Sequence, residues 1–357
     1  SVNTVKMESV MMPLLLGLVM GGGVGAVTKS SCPLPAEIHP CLCFDDDPLG
    51  LVMDCSGVQD EIELARSFTA NFPTPDFYEL KIIHDPMNQR LHSLEKSTFG
   101  EATFQRVNIT GTQIIAIDGY AFDKSKSTLT MLALDGNRIA QFPFGSLQRY
   151  TRLMALHLAH NNLSLIPQLA SPVLKLLDVT GNRPLVVEGE AFVKTPSLEQ
   201  IILSHTSQEK LERGLFTTST KLSVLDFSDN NLKEVEDGVI VTPNASMTLL
   251  DLSNNKITMV RHDAIIGLAS NAHLSLAKNE IMKLQQLHWQ HIFDQLRLPY
   301  GRIDLSENPL LCGCDIAWIV LNEEYRKLLT DTTKCINGEM VIYLDPLLYI
   351  TMCRPFV

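Results

Sequence analysis

The chain has 357 residues, 45% of them hydrophobic and 19% charged, with a formal net charge of -11. A single compact core of this length would split into domains, whereas a repeat array escapes that limit because each unit packs only on its neighbours. The negative balance argues against nucleic acid, whose phosphates need a basic surface, and suits either a basic partner or plain solubility.

In chain order, the first feature is an apolar run from Met11 to Val27, a few residues after Met7. Pro13 and several glycines interrupt it, and Val24 and Ala26 place small residues where a signal peptidase reads. The run therefore predicts a signal peptide ending at Ala26, with residues 1–6 as upstream translated sequence. A membrane span needs about 20 unbroken apolar residues, and Gly21 to Gly23 weaken that reading. The same glycines, in Gly21 to Gly25, are too apolar in context for a phosphate-binding loop. The end, Cys353 to Val357, offers no hydrophobic tail for a lipid anchor. Secretion without a membrane span in the mature chain is the expectation, and the sequons at Asn108, Asn162 and Asn244 are the expected glycosylation sites.

Eight cysteines fall in two groups, Cys32, Cys41, Cys43 and Cys55, then Cys312, Cys314, Cys335 and Cys353. An even count confined to the two ends of a secreted chain reads as disulfides. Zinc is the competing reading for Cys41/Cys43 and Cys312/Cys314, but paired zinc ligands favour roughly two to four intervening residues and extracellular thiols oxidise. Each cluster leaves three connectivities open. The expected organisation is an N-terminal cysteine cap over 27–76, repeats over 77–310 and a C-terminal cysteine cap over 311–357. An apolar-periodic stretch from Ile62 to Phe72 links the first cap to the first repeat.

Between the clusters one pattern recurs, Leu-x-Leu-x-x-Asn-x-Leu. Clear copies run over Leu132–Ile139, Leu156–Leu163, Leu225–Leu232, Leu250–Ile257, Leu274–Ile281 and Ile303–Leu310. Looser copies begin at Leu80, Val107, Leu177 and Ile201, which brings the series to ten. The Asn, or its substitute, falls at Asp85, Thr112, Asn137, Asn161, Asn182, Thr206, Asn230, Asn255, Asn279 and Asn308, at intervals of 21 to 29 residues. That period is the signature of leucine-rich repeats. Alternating apolar residues bury one face of a short strand, and stacked strands build a parallel sheet on the concave side of a horseshoe. The turn after each strand strands backbone groups that an Asn side chain, with one carbonyl and one NH2, can satisfy in a ladder. Phe99, Phe122, Phe192 and Phe216 are the expected convex anchors. The fold class is an α/β solenoid with disulfide-capped ends.

The last interval is the longest and carries Leu284, Leu287, His291, Ile292 and Leu296 at helical spacing, predicting a convex helix that stops near Pro299. His288 and His291 there read as an exposed helix flank in preference to a metal site, because no carboxylate accompanies them.

The residue between the two strand leucines faces out. That column reads Lys81, Asn108, Ala133, His157, Asp178, Ile202, Asp226, Asp251, Ser275 and Asp304. His157, Asp178, Ile202, Asp226, Asp251 and Ser275 are the expected protein-binding surface, an acidic strip for a basic partner. The plainer reading is that Asp here belongs to the repeat pattern and solvates the sheet. A sugar on Asn108 would obstruct the early repeats and move binding toward the middle and C-terminal ones. His157, His160 and His205 lie near Asp178 and Ser204 in this scheme, but an open sheet supplies neither an enclosed pocket nor oxyanion donors. No catalytic, metal or cofactor site is expected, and the chain reads as a binding protein.

Two resemblances carry this further. The entry Cys32-Pro33, with Cys41, Cys43 and Cys55, and the exit Asn308 to Trp318, with Cys335 and Cys353, resemble the flanking modules of extracellular leucine-rich-repeat proteins. That resemblance implies Cys32–Cys43, Cys41–Cys55, Cys312–Cys335 and Cys314–Cys353. More narrowly, Pro40 to Phe44, Leu51 to Ser56 and Asp345 to Tyr349 resemble a family of crustacean secreted repeat proteins. Its name comes from the non-catalytic subunit of oplophorus-luciferin 2-monooxygenase, the shrimp luciferase. The resemblance implies a non-catalytic accessory subunit whose concave face holds an extracellular protein, a small catalytic oxidase subunit. The alternative is a soluble recognition protein of innate immunity, development or matrix.

Overall fold

The computed structural model describes residues 31–45, 47–83 and 90–353. The signal segment expected over 1–26, the ladder position expected at Asp85 and the chain end at 354–357 lie outside these described residues.

One twelve-stranded sheet organises the fold. Strands β1 (Leu42–Phe44) and β2 (Val52–Asp54) pair antiparallel and cover the first coil. From β2 onward each strand lies parallel to the next. These are β3 (Asp76–Ile83), β4 (Thr103–Thr110), β5 (Met131–Ala133), β6 (Ala155–His157), β7 (Leu176–Asp178), β8 (Gln200–Ile202), β9 (Val224–Asp226), β10 (Met247–Asp251), β11 (Leu268–Ser275) and β12 (Arg302–Asp304). The ten strands β3 to β12 open the ten repeats.

The register explains why only one stacking works. Leu80, Val107, Leu132, Leu156, Leu177, Ile201, Leu225, Leu250, Leu274 and Ile303 pair across the sheet in one column, and all are buried. A slip of one residue would turn this whole column into water. The return path is mostly turns, 3-10 segments and short strands, such as Leu165–Ile166 against Val186–Val187 and Glu234–Val235 against Met259–Val260. Phe192 and Phe216 stack at 5.9 Å, and Phe99 and Phe122 at 5.1 Å, filling the convex side of the core.

The Asn ladder joins the coils. Asn230 donates from Nδ2 to the carbonyl of Phe227 at 3.0 Å in its own coil and of Leu203 at 2.9 Å in the preceding one. Its Oδ1 accepts from the backbone N–H groups of Thr206 and Gln208. Asn161, Asn182, Asn255, Asn279 and Asn308 repeat the scheme. Thr206 lacks the NH2, and that coil compensates. The Thr206 hydroxyl donates to Leu203 O, and the Gln208 amide donates to Leu185 O.

To aim the ladder side chain inward, the residue before it takes the left-handed backbone region in each of the nine described coils. These residues are Gly111, Gly136, His160, Gly181, His205, Asp229, Asn254, Lys278 and Glu307. Gly181 is doubly constrained. Its φ is +75°, and a Cβ there would collide with the His160 imidazole.

Both ends are closed by disulfides. Cys32–Cys43 and Cys41–Cys55 secure the N-terminal cap, and Cys312–Cys335 and Cys314–Cys353 the C-terminal one. The N-terminal cap adds α1 (Pro35–Ile38) and α2 (Glu61–Ser67), the latter capped by the Asp60 carboxylate. At the other end α3 (Gln286–Gln295) is the helix expected on the convex side. Trp318 donates from Nε1 to Leu284 O at 2.7 Å, and its ring meets Phe293 and Tyr325, tying this helix to the cap helices α4 (Ala317–Val320) and α5 (Glu323–Leu328). The last helix is α6 (Pro346–Met352).

His288 and His291 are not an exposed flank; both are half-buried. Neither ring nitrogen of His291 has a hydrogen-bond partner or reaches water, and the His262 ring lies 5.2 Å away. The cause is long-range: coil packing brings residue 262 under the helix, which helical spacing alone does not reveal. Burial holds the His291 imidazole below its usual range, and His262 adds to that. The fold thus prefers neutral His291, so the unfolded chain takes up this proton first as pH falls. The stability this group contributes is complete above about pH 6.5 and is lost as pH drops from there through the lowered native value. Of the two tryptophans, Trp289 lies within this helix and Trp318 packs against it. Urea midpoints read by their fluorescence are expected to fall between pH 7 and pH 5, and to fall less in His291→Leu. Equal slopes in the two proteins would contradict this assignment.

Candidate functional site

The sheet's outward face carries lanes that run across the strands. In the first lane Met131, Ala155, Leu176, Gln200, Val224 and Leu249 are aligned by the register from β5 to β10. All are half-buried, and Met154 beside them is 42% exposed. Arg106 precedes this lane and His273 follows it.

In the second lane Lys81, Asn108, Ala133, His157, Asp178, Ile202, Asp226, Asp251, Ser275 and Asp304 are in direct register. Their acidic members have a local task. The Asp178 Oδ1 accepts from the Thr180 backbone N–H at 2.9 Å and from its hydroxyl at 2.6 Å. Asp226, Asp251 and Asp304 accept from the backbone N–H groups of Ser228, Ser253 and Ser306. One oxygen of each carboxylate therefore fixes the turn that follows its strand. Among the described residues none of these four is in an ion pair; the pairs Lys175–Glu199 and His205–Asp229 lie on neighbouring positions. Burial raises the Asp226 carboxyl above its usual range; Ser228 pulls it back, and Asp251 and Asp229 push it up again. Asp135, on the next outward position, is raised by burial too, against the pull of the Ala159 N–H.

The histidines do not converge with Ser204. Its hydroxyl lies 3.1 Å from that of Thr180, and Thr180 is held by Asp178. His205 is engaged by Asp229 at 3.2 Å and Arg183 at 2.9 Å, and His160 packs over Gly181. No imidazole is placed to take the Ser204 proton, so the arrangement holds turns in shape. Among the described residues no three His, Cys, Asp or Glu side chains converge on a point that would hold a metal ion. Two clefts lie off the sheet. One of about 240 Å³ is lined by Leu185, Val187, Leu211, Leu215 and Phe227, and one of about 270 Å³ by Met259, Met282, His288 and Trp289.

Of the sequons, Asn162 and Asn244 are exposed, and Asn244 donates from Nδ2 to Thr220 O at 3.0 Å. Asn108 lies on the sheet face, and its buried Oδ1 lacks a partner. Sequence reasoning missed the apolar lane, although the signal was present: its residues precede the Asp column by two and share its face.

The leucine rich repeat family model matches residues 172–232 and 220–281. The non-catalytic subunit of oplophorus-luciferin 2-monooxygenase from Oplophorus gracilirostris is 31% identical over 327 residues, 91% of this chain and 89% of that protein. Human vasorin is 29% identical over 154 residues, 43% of this chain but only 22% of its own length. Among solved structures, a chain of the octameric complex of latrophilin 3, Unc5D and FLRT2 aligns with a TM-score of 0.63 at 20% identity, over 85% of this chain and 97% of that one. A chain of the Toll–Spätzle complex aligns at 0.55 and 20% identity, over 76% and 38%. At that identity the likeness is one of fold.

Proposed function

This chain belongs to the leucine-rich-repeat family that includes the non-catalytic subunit of oplophorus-luciferin 2-monooxygenase, and from that premise we propose that it is a secreted, non-catalytic accessory subunit holding an extracellular protein on its concave sheet. The observation that carries this reading is similarity over 91% of the chain to a protein named as non-catalytic, joined to an open sheet whose outward Asp carboxylates fix turns. The partner on this reading is a small catalytic subunit of a secreted, luciferase-like monooxygenase. Secretion accords with the four disulfides, and Asn108, Asn162 and Asn244 are its glycosylation sites. His157, Asp178, Ile202, Asp226, Asp251 and Ser275 belong to the surface that meets the partner.

Affinity capture from the native secretion is the test. One small enzyme at fixed stoichiometry is expected to travel with the chain, and the isolated chain is expected to show no monooxygenase turnover. Capture of a matrix component or a cytokine-like ligand in its place would favour a recognition protein of immunity, development or matrix. The fold alone supports that second reading, since it is also found in the Toll–Spätzle complex.

A further inference from the structure

We propose that the segment seated on the concave sheet is an amphipathic, basic α-helix of the partner protein, lying across the strands; this rests on the accessory-subunit reading above. Its apolar stripe follows the lane from Met131 to Leu249, and its Lys or Arg residues, one helical turn apart along the neighbouring edge, reach Asp178, Asp226 and Asp251.

Three observations specify that occupant. First, spacing: adjacent strands lie about 4.8 Å apart, and one turn of helix rises about 5.4 Å, so a helix laid along the lane meets each coil with one side chain per turn. An extended strand presents a same-face residue only every ~6.8 Å and would drift out of step. The lane from β5 to β10 crosses five strand gaps, or about 24 Å, the length of about 16 helical residues. Second, polarity: the lane of Met131, Ala155, Leu176, Val224 and Leu249 is apolar except at Gln200, and Arg106 and His273 close its two ends. Third, charge: beside it run carboxylates that have no cation of their own among the described residues. Each keeps one oxygen outside the turn it caps, and Asp226 stands next to Asp251. Helix-in-groove recognition reads such a surface as anchors at successive turns with charge complementarity on one flank.

The probe is a synthetic helical peptide of about 16 residues, long enough for the lane, with Leu on one stripe and Lys beside it; a second peptide carries Glu in place of Lys. The Lys peptide is expected to bind the full chain, by fluorescence anisotropy, at least about tenfold more tightly than the Glu peptide. Asp226→Asn with Asp251→Asn keeps the acceptors of both turns and removes the charges. That pair is expected to weaken binding about tenfold and to flatten its salt dependence. Leu176→Ser with Val224→Ser is expected to weaken it similarly, while Val186→Ser, on the convex side, leaves it unchanged. No binding, equal affinity for both peptides, or indifference to both double variants overturns the proposal. Failure of a partner to travel with the wild-type chain is a separate outcome. It removes the accessory-subunit reading, while the peptide measurements still decide the chemistry of the face.

Discussion

Asn230→Ala is expected to lower the unfolding free energy by about 2 to 4 kcal/mol. The side chain satisfies two buried carbonyls, Leu203 and Phe227, and two buried N–H groups, Thr206 and Gln208. Alanine leaves the Thr206 and Gln208 N–H groups without partners in a region closed to water, while Leu203 O keeps the Thr206 hydroxyl and Phe227 O keeps the Asn255 amide; each orphaned buried group costs about 1–3 kcal/mol before relaxation. Asn230→Thr is expected to cost less, because a hydroxyl can still donate within its own coil, as Thr206 does to Leu203 O. Urea unfolding followed by circular dichroism checks the ranking, with Asp226→Asn as the reference. A loss under about 1 kcal/mol for Asn230→Ala would show that the ladder is not what joins these coils.

The second large effect concerns the C-terminal cap. Cys314–Cys353 spans 39 residues of sequence, and the chain-entropy account gives such a closure about 4 kcal/mol. Other ties on α6 are few. Tyr349 is its one buried residue, and its hydroxyl donates to Cys312 O at 2.7 Å, while Leu347, Leu348 and Met352 point into water. Cys314→Ser with Cys353→Ser is therefore expected to release α6 and leave the sheet intact. Hydrogen exchange should rise sharply over 346–353, with the strands from β3 to β11 still protected, because a solenoid unravels from its ends. Unchanged exchange over α6 would mean that packing, not the bridge, holds it.

The ladder and the cap differ in how openly the sequence announces them. The ladder recurs every coil, so position alone identifies Asn137, Asn161 or Asn279, and period-two alternation states which strand residues turn inward. One exception, Thr206, shows its repair only in three dimensions: Gln208 reaches into the preceding coil to Leu185, and nothing in the local pattern requires it. The left-handed residue before each ladder position was equally hidden. Glycine at 136 and 181 hints at it, but His160, Lys278 and Glu307 do not, since tertiary stacking overrides their intrinsic preference.

What the sequence by itself determined is everything that repeats or has a local period: the solenoid, the inward columns, the convex helix before Pro299 and the confinement of cysteines to the ends. Those features are legible because the same neighbour contacts are imposed coil after coil. The tertiary structure alone decided what depends on two distant segments meeting once. It set His291 against His262, bound one oxygen of each strand Asp into a turn, and laid the Met131-to-Leu249 lane beside the carboxylates as one continuous surface. Such contacts depend on how each coil seats on the last, and chain spacing carries no record of that.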